Sequence, residues 1–142
     1  MTSPPENLVG TGKPLVVEPT DAAEFEGLLR SGRARLVDAR NASLAPESRF
    51  DLAYNAAHAL CLAALRRQGY RARHRYIVFQ VLPYTLGLGP EVWRVLDKCH
   101  HMRNVAEYAG ALDVDERIVA DLVMACERVA DKLAGVAQRD YP

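Results

Sequence analysis

Residues 99–108, Cys99-His100-His101-Met102-Arg103-Asn104-Val105-Ala106-Glu107-Tyr108, bring imidazole, guanidinium, amide, carboxylate and phenol groups into one short stretch. His100 and Arg103 are three residues apart, so on a helix they share a face. Metal-independent cleavage of RNA needs a base for the 2′-hydroxyl proton and a cation for the charge that grows on the phosphate. Arg103 can supply the cation. His100, whose ordinary pKa lies near neutrality, can supply a base arriving from the other side of it. The same residues also fit a purely structural role. Arg103 and Glu107 form an i,i+4 pair, as do Asn104 and Tyr108, and Trp93, Leu96 and Glu107 extend the face as a seam between two copies of the chain. In that reading His100 hydrogen-bonds across the seam and Trp93 is its apolar anchor. An open cleft favours a site, and a closed, dry surface favours an interface.

Neither a metal nor a cofactor is expected. Cys99, His100 and His101 are consecutive, and on a helix they point about 100° apart, too far to chelate one ion. His58 and Cys61 are three apart and read as a core pair. There is no Gly-rich phosphate loop after a strand, so any phosphate contact has to come from arginine. Arg66, Arg67, Arg71, Arg73 and Arg75 fall within ten residues and are the candidates for RNA or nucleotide binding. A solvated connection is the alternative, because cations also suit a helix C-terminus.

The elements that must position these groups are helical. Pro90 suits the first position of a helix and Gly110 a left-handed cap at its end. Val92, Val95, Cys99, Met102, Ala106 and Ala109 supply an apolar stripe, with Trp93, Leu96, His100, Arg103, Asn104 and Glu107 on the other side. The longest helix runs from Ser43 to Gln68 and ends at Gly69. It is alanine-rich on two flanks, with Asp51, Asn55, His58 and Leu62 as a narrow polar stripe between them. A short helix from Thr20 is expected to stop at Ser31-Gly32, with a further turn or two over residues 33–40. Residues 74–82 are expected as a buried helix broken near Pro83, because no strand partner of comparable strength is evident. Asp113 to Glu116 has capping-box spacing and starts a last helix that reaches about Ala137.

Residues 1–19 hold four of the eight prolines and are expected as a flexible tail, with 14–19 as an extended arm. Residues 20–142 then make a single domain. The predicted fold is all-α: an antiparallel four- or five-helix up-and-down bundle with short extra N-terminal helices. The formal net charge is zero, which implies no wholesale attraction to nucleic acid or membrane, and fifteen of the eighteen basic residues are Arg. Three cysteines without a C-x-x-C pair read as reduced thiols. No apolar run approaches the roughly eighteen residues of a membrane span, and the first residues lack signal-peptide character. The expected location is the cytoplasm.

The helix Arg49-Phe50-Asp51-Leu52-Ala53-Tyr54-Asn55-Ala56-Ala57-His58, the Gly69-Tyr70-Arg71 turn after it, and His100 to Tyr108 together resemble a HEPN domain over about residues 40–137. The resemblance implies a small bundle that dimerises around a polar cleft. Many such proteins are metal-independent ribonucleases, often toxins in toxin–antitoxin or defence systems. Their motif is an Arg, frequently followed by Asn, Asp or His, with a His four to six residues later. Arg103 and Asn104 match its start. Tyr108, Ala109 and Gly110 stand near its end, so the motif His is missing. The resemblance therefore implies a divergent member acting as a binding or interaction module with RNA, nucleotide, a cognate antitoxin or another protein. The alternative is an endoribonuclease that uses Arg103 with His100 as base, supported by Asn104 and Tyr108.

Overall fold

In the computed structural model the backbone of residues 3–110 and 113–140 is described, with side chains for all of these except 107–108 and 137–140. Six α-helices and one two-stranded sheet make up the described chain. A single 3-10 turn at Pro5–Leu8 leads to β1, Leu15–Val17. Helix α1 is Ala22–Ala39, α2 is Pro46–Arg67, β2 is Tyr70–Ala72, and two short helices follow, α3 at Ile77–Gln80 and α4 at Leu82–Thr85. Helix α5 is Pro90–Ala109 and α6 is Glu116–Asp140.

The N-terminal segment departs from the expected flexible tail. Leu15 is fully buried, and β1 pairs antiparallel with β2 in the register Leu15–Ala72, Val16–Arg71, Val17–Tyr70. The amide of Arg73 donates to the Pro14 carbonyl at one end of the ladder and that of Glu18 to the Gly69 carbonyl at the other. This pairing was hidden in the sequence because each strand is three residues long, too short to carry a period-2 pattern.

Asp21, not Thr20, caps α1, its carboxylate accepting from the amides of Ala23 and Glu24. Thr20 instead donates to the Arg66 and Arg67 carbonyls at the far end of α2. Helix α1 does not stop at Gly32. The glycine is buried mid-helix where α2 comes closest, and a Cβ there would sit 2.7 Å from Leu60 Cγ. Helices α1 and α2 thus run antiparallel, and Arg49 near the start of α2 donates to the Ala39 carbonyl at the end of α1. Arg49 also meets Glu116 at the start of α6 at 3.1 Å.

Helix α2 is the centre of the core. Its buried alanines, Ala53, Ala56, Ala57, Ala63 and Ala64, let α1 and α6 pack closely on it. The α3–α4 break falls at Val81, directly before Leu82-Pro83, as expected of a proline that cannot continue the preceding turn. Helix α5 begins at Pro90 and ends on Gly110 at φ +77°. Asp115, two residues beyond the expected Asp113, caps α6 through the Ile118 amide.

Candidate functional site

Helix α2 places Tyr54, Asn55 and His58 on one side, and α5 places His100, Arg103 and Asn104 opposite them, since residues three and four apart share a helix face. The loop before α3 and α3 itself close the cluster with Arg75, Tyr76 and Phe79. His100 is 8% exposed and both of its ring nitrogens are engaged. Nδ1 is 2.9 Å from Tyr54 Oη, and Nε2 is 3.1 Å from Asn104 Nδ2. The Asn104 amide donates to Nε2, which leaves the proton on Nδ1 and makes Tyr54 Oη its acceptor. Tyr76 stacks on the same imidazole with ring centroids 4.9 Å apart, and Phe79 lies beside it. Burial, and then the neighbouring His101, lower the His100 pKa. Burial and the adjacent Asp97 push the Tyr76 phenol up to about 12, so it stays protonated.

His58 is the second imidazole of the cluster. It is half-buried with its ring edge toward Phe79, and among the described residues it has no hydrogen-bond partner. Burial pulls its pKa down to about 4, and Arg75, Arg103 and His100 add to the effect because each disfavours a second positive charge there. The Arg103 guanidinium lies 4.9 Å over the Tyr54 ring, a cation–π contact that holds it across the cluster. Arg75 reaches Asn55 Oδ1 at 3.4 Å. The arrangement therefore places a neutral imidazole near two guanidinium groups.

The other expected site residues scatter. Arg66 is 1% exposed and lies in the interior, not on a surface patch. Its Nε donates to Glu24, its Nη1 to the Glu18 and Tyr70 carbonyls, and its Nη2 to the Pro19 carbonyl, with Glu18 Oε2 at 3.4 Å. Arg71 is likewise committed, to Glu18 and Glu24 at 2.6 Å each. The two guanidinium groups, Arg71 first, hold the Glu24 carboxyl below its usual range. Arg67 is half-buried, whereas Arg73 and Arg75 are exposed. The expected cluster of five thus divides into an internal ion network and a smaller exposed set.

Leu96 was expected on a dimer face, but it is 1% exposed inside the chain's own core. The buried edge of α5 is Val92, Leu96, Cys99 and His100, while Val105 and Ala109 are exposed. Spacings of three and four admit either stripe, and packing against α6, with α3 and α2, selects this one. Trp93 is half-buried under the Arg94 guanidinium. The side chains of Glu107 and Tyr108, and with them their expected pairs, lie outside the described residues. All three cysteines are buried as free thiols. Among the described residues no group of three His, Cys, Asp or Glu gathers where it could hold a metal ion, and no helix is long and apolar enough to cross a membrane.

A scan against protein-family models, a search of curated proteins and a search of solved structures each found nothing that matches this chain. Sequence reasoning singled out His100, Arg103 and Asn104, which do come together. It passed over Tyr54, Asn55 and Tyr76 as site residues and treated His58 as a core residue. The polar stripe Asp51, Asn55 and His58 on an otherwise alanine-rich helix was the available signal.

Proposed function

We propose that the chain is a HEPN-like helical bundle that acts as a homodimeric, noncatalytic RNA-binding module, working with a protein partner of the toxin–antitoxin type. The observation that carries this reading is that Arg75, bonded to Asn55, and Arg103, lying over Tyr54, come from separate segments to the part of α2 that carries His58. Two guanidinium forks suit phosphate oxygens, and a neutral imidazole adds a donor without adding repulsion. An arriving phosphate would raise the His58 pKa, so binding should draw in a proton and tighten as the pH falls toward about 5. His100 is a poor base in this geometry. Taking a proton would cost it the Asn104 bond at Nε2, and Nδ1 already holds its proton against Tyr54.

The test is fluorescence anisotropy with a labelled single-stranded RNA, together with sedimentation to measure the mass in solution. Arg75→Ala with Arg103→Ala should weaken binding about tenfold or more, as expected when two charge-assisted contacts are lost. Affinity of the native chain should fall steeply with salt. No binding at low salt would sink the RNA reading, and a monomeric mass would sink the dimer. RNA cleavage without metal that disappears in His100→Ala would replace the binding module with an enzyme.

A further inference from the structure

A pocket of about 610 Å³ opens between the N-terminal segment and the start of α3. Its described lining includes none of His58, Arg75 and Arg103. Its rim carries Lys13, Arg73 and His74, and its apolar lining comes from Leu8, Pro14 and Ile77. Among the described residues no acidic side chain lines it. Among the described residues none of the three rim side chains has a hydrogen-bonding or ion-pair partner. This contrasts with Arg66 and Arg71 close by in sequence, which are neutralised by Glu18 and Glu24.

The walls are fixed by backbone. The Arg73 amide donates to the Pro14 carbonyl at 2.9 Å, which sets the two rims a strand's width apart. The Lys13 amide donates to the Gly10 carbonyl at 3.0 Å. Gly10 and Gly12 take φ of +140° and +72°, and this tight turn holds Lys13 at the rim. In a chain of zero formal net charge, an uncompensated basic rim over an apolar floor is a local asymmetry that solvation alone does not require.

We propose that this pocket binds a phosphate ester carried on a ring-sized apolar body. Lys13, Arg73 and His74 take the phosphate, and Leu8, Pro14 and Ile77 take the body. The volume lies within the several-hundred-Å³ range typical of small-ligand sites. Two cations and an imidazole lining one pocket offer charge-assisted donors to a terminal phosphate, and the apolar wall offers a ring cover from water.

Calorimetry with AMP, phenyl phosphate and inorganic phosphate tests the assignment on the full chain. At least one of the two esters should bind saturably and more tightly than inorganic phosphate. Lys13→Ala with Arg73→Ala should weaken it about tenfold or more, with an unchanged circular dichroism spectrum, since both side chains are exposed. Arg75→Ala with Arg103→Ala should leave ester binding unchanged, so failure here and failure of RNA binding are told apart. The proposal is overturned if neither ester binds, if inorganic phosphate binds as well as both, or if the Lys13 and Arg73 variant binds like the native chain.

Discussion

His58 and His100 show how one residue type takes two roles from its surroundings. His100 has partners for both nitrogens and belongs to the packing of α2 against α5. His58 has none among the described residues, and its ordinary pKa of 6.5 drops to about 4. The unfolded chain therefore binds more protons at this position than the folded chain between those two values. Stability should fall as the pH is lowered through that window, and it should be insensitive to His58 above it. His58→Gln removes the titration. Between about pH 7 and pH 5 the native chain should lose on the order of 2 kcal/mol more stability than the variant. Urea unfolding at the two pH values measures it, and parallel losses would show that His58 is solvated and ordinary.

At the scale of elements, the contact of α1 with α2 depends on the missing side chain at Gly32. Alanine would favour the helix by roughly 0.5–1 kcal/mol over glycine. The new Cβ would, however, stand 2.7 Å from the branching carbon of Leu60 and 3.3 Å from the Ala56 carbonyl. Neither neighbour is the free end of a flexible chain, so the helices must move apart, at about 1–3 kcal/mol. Overpacking wins, and Gly32→Ala should destabilise by about 1 kcal/mol. A denaturant midpoint equal to or above that of the native chain would show that the helices shift without loss. In sequence, Ser31-Gly32 looks like a helix end, and only a neighbouring helix reveals that the glycine serves a close approach.

For the molecule as a whole, Arg66 joins the N-terminal segment to the helices. It binds β1 and its flanking residues through Glu18 and Pro19, α1 through Glu24, and β2 through Tyr70. Arg66→Ala would leave the Glu18, Pro19 and Tyr70 carbonyls without this donor beside a cavity, with Glu18 and Glu24 held by Arg71 alone, and should cost about 2–4 kcal/mol. Arg73→Ala, on the exposed rim, should change stability by less than about 0.5 kcal/mol. Thermal unfolding of the two variants separates an interior arginine from a surface one, and equal effects would contradict the burial. The depressed Glu24 pKa adds a second acid-sensitive contribution. This one is present above the ordinary carboxylate value and is lost as the pH falls through the lowered one, so it acts on the acid side of the His58 window.

The sequence by itself determined the features that one or two neighbouring residues dictate. Pro90 and Gly110 bound α5, Gly69 with φ +88° follows α2, and Pro83 breaks the segment between α3 and α4. Each is a local steric or hydrogen-bonding fact, and so is the mostly helical character. Only the tertiary structure decided which stripe of α5 faces the core, because Val92, Leu96 and Cys99 fit a spacing of three and four as well as Val92, Val95 and Cys99 do. Only the tertiary structure paired β1 with β2 across more than fifty residues and drew Arg66 inward to two glutamates. It also brought Arg75 and Arg103 near enough to His58 to lower its pKa, for charge and burial at a point are sums over groups that are distant in the chain and near in space.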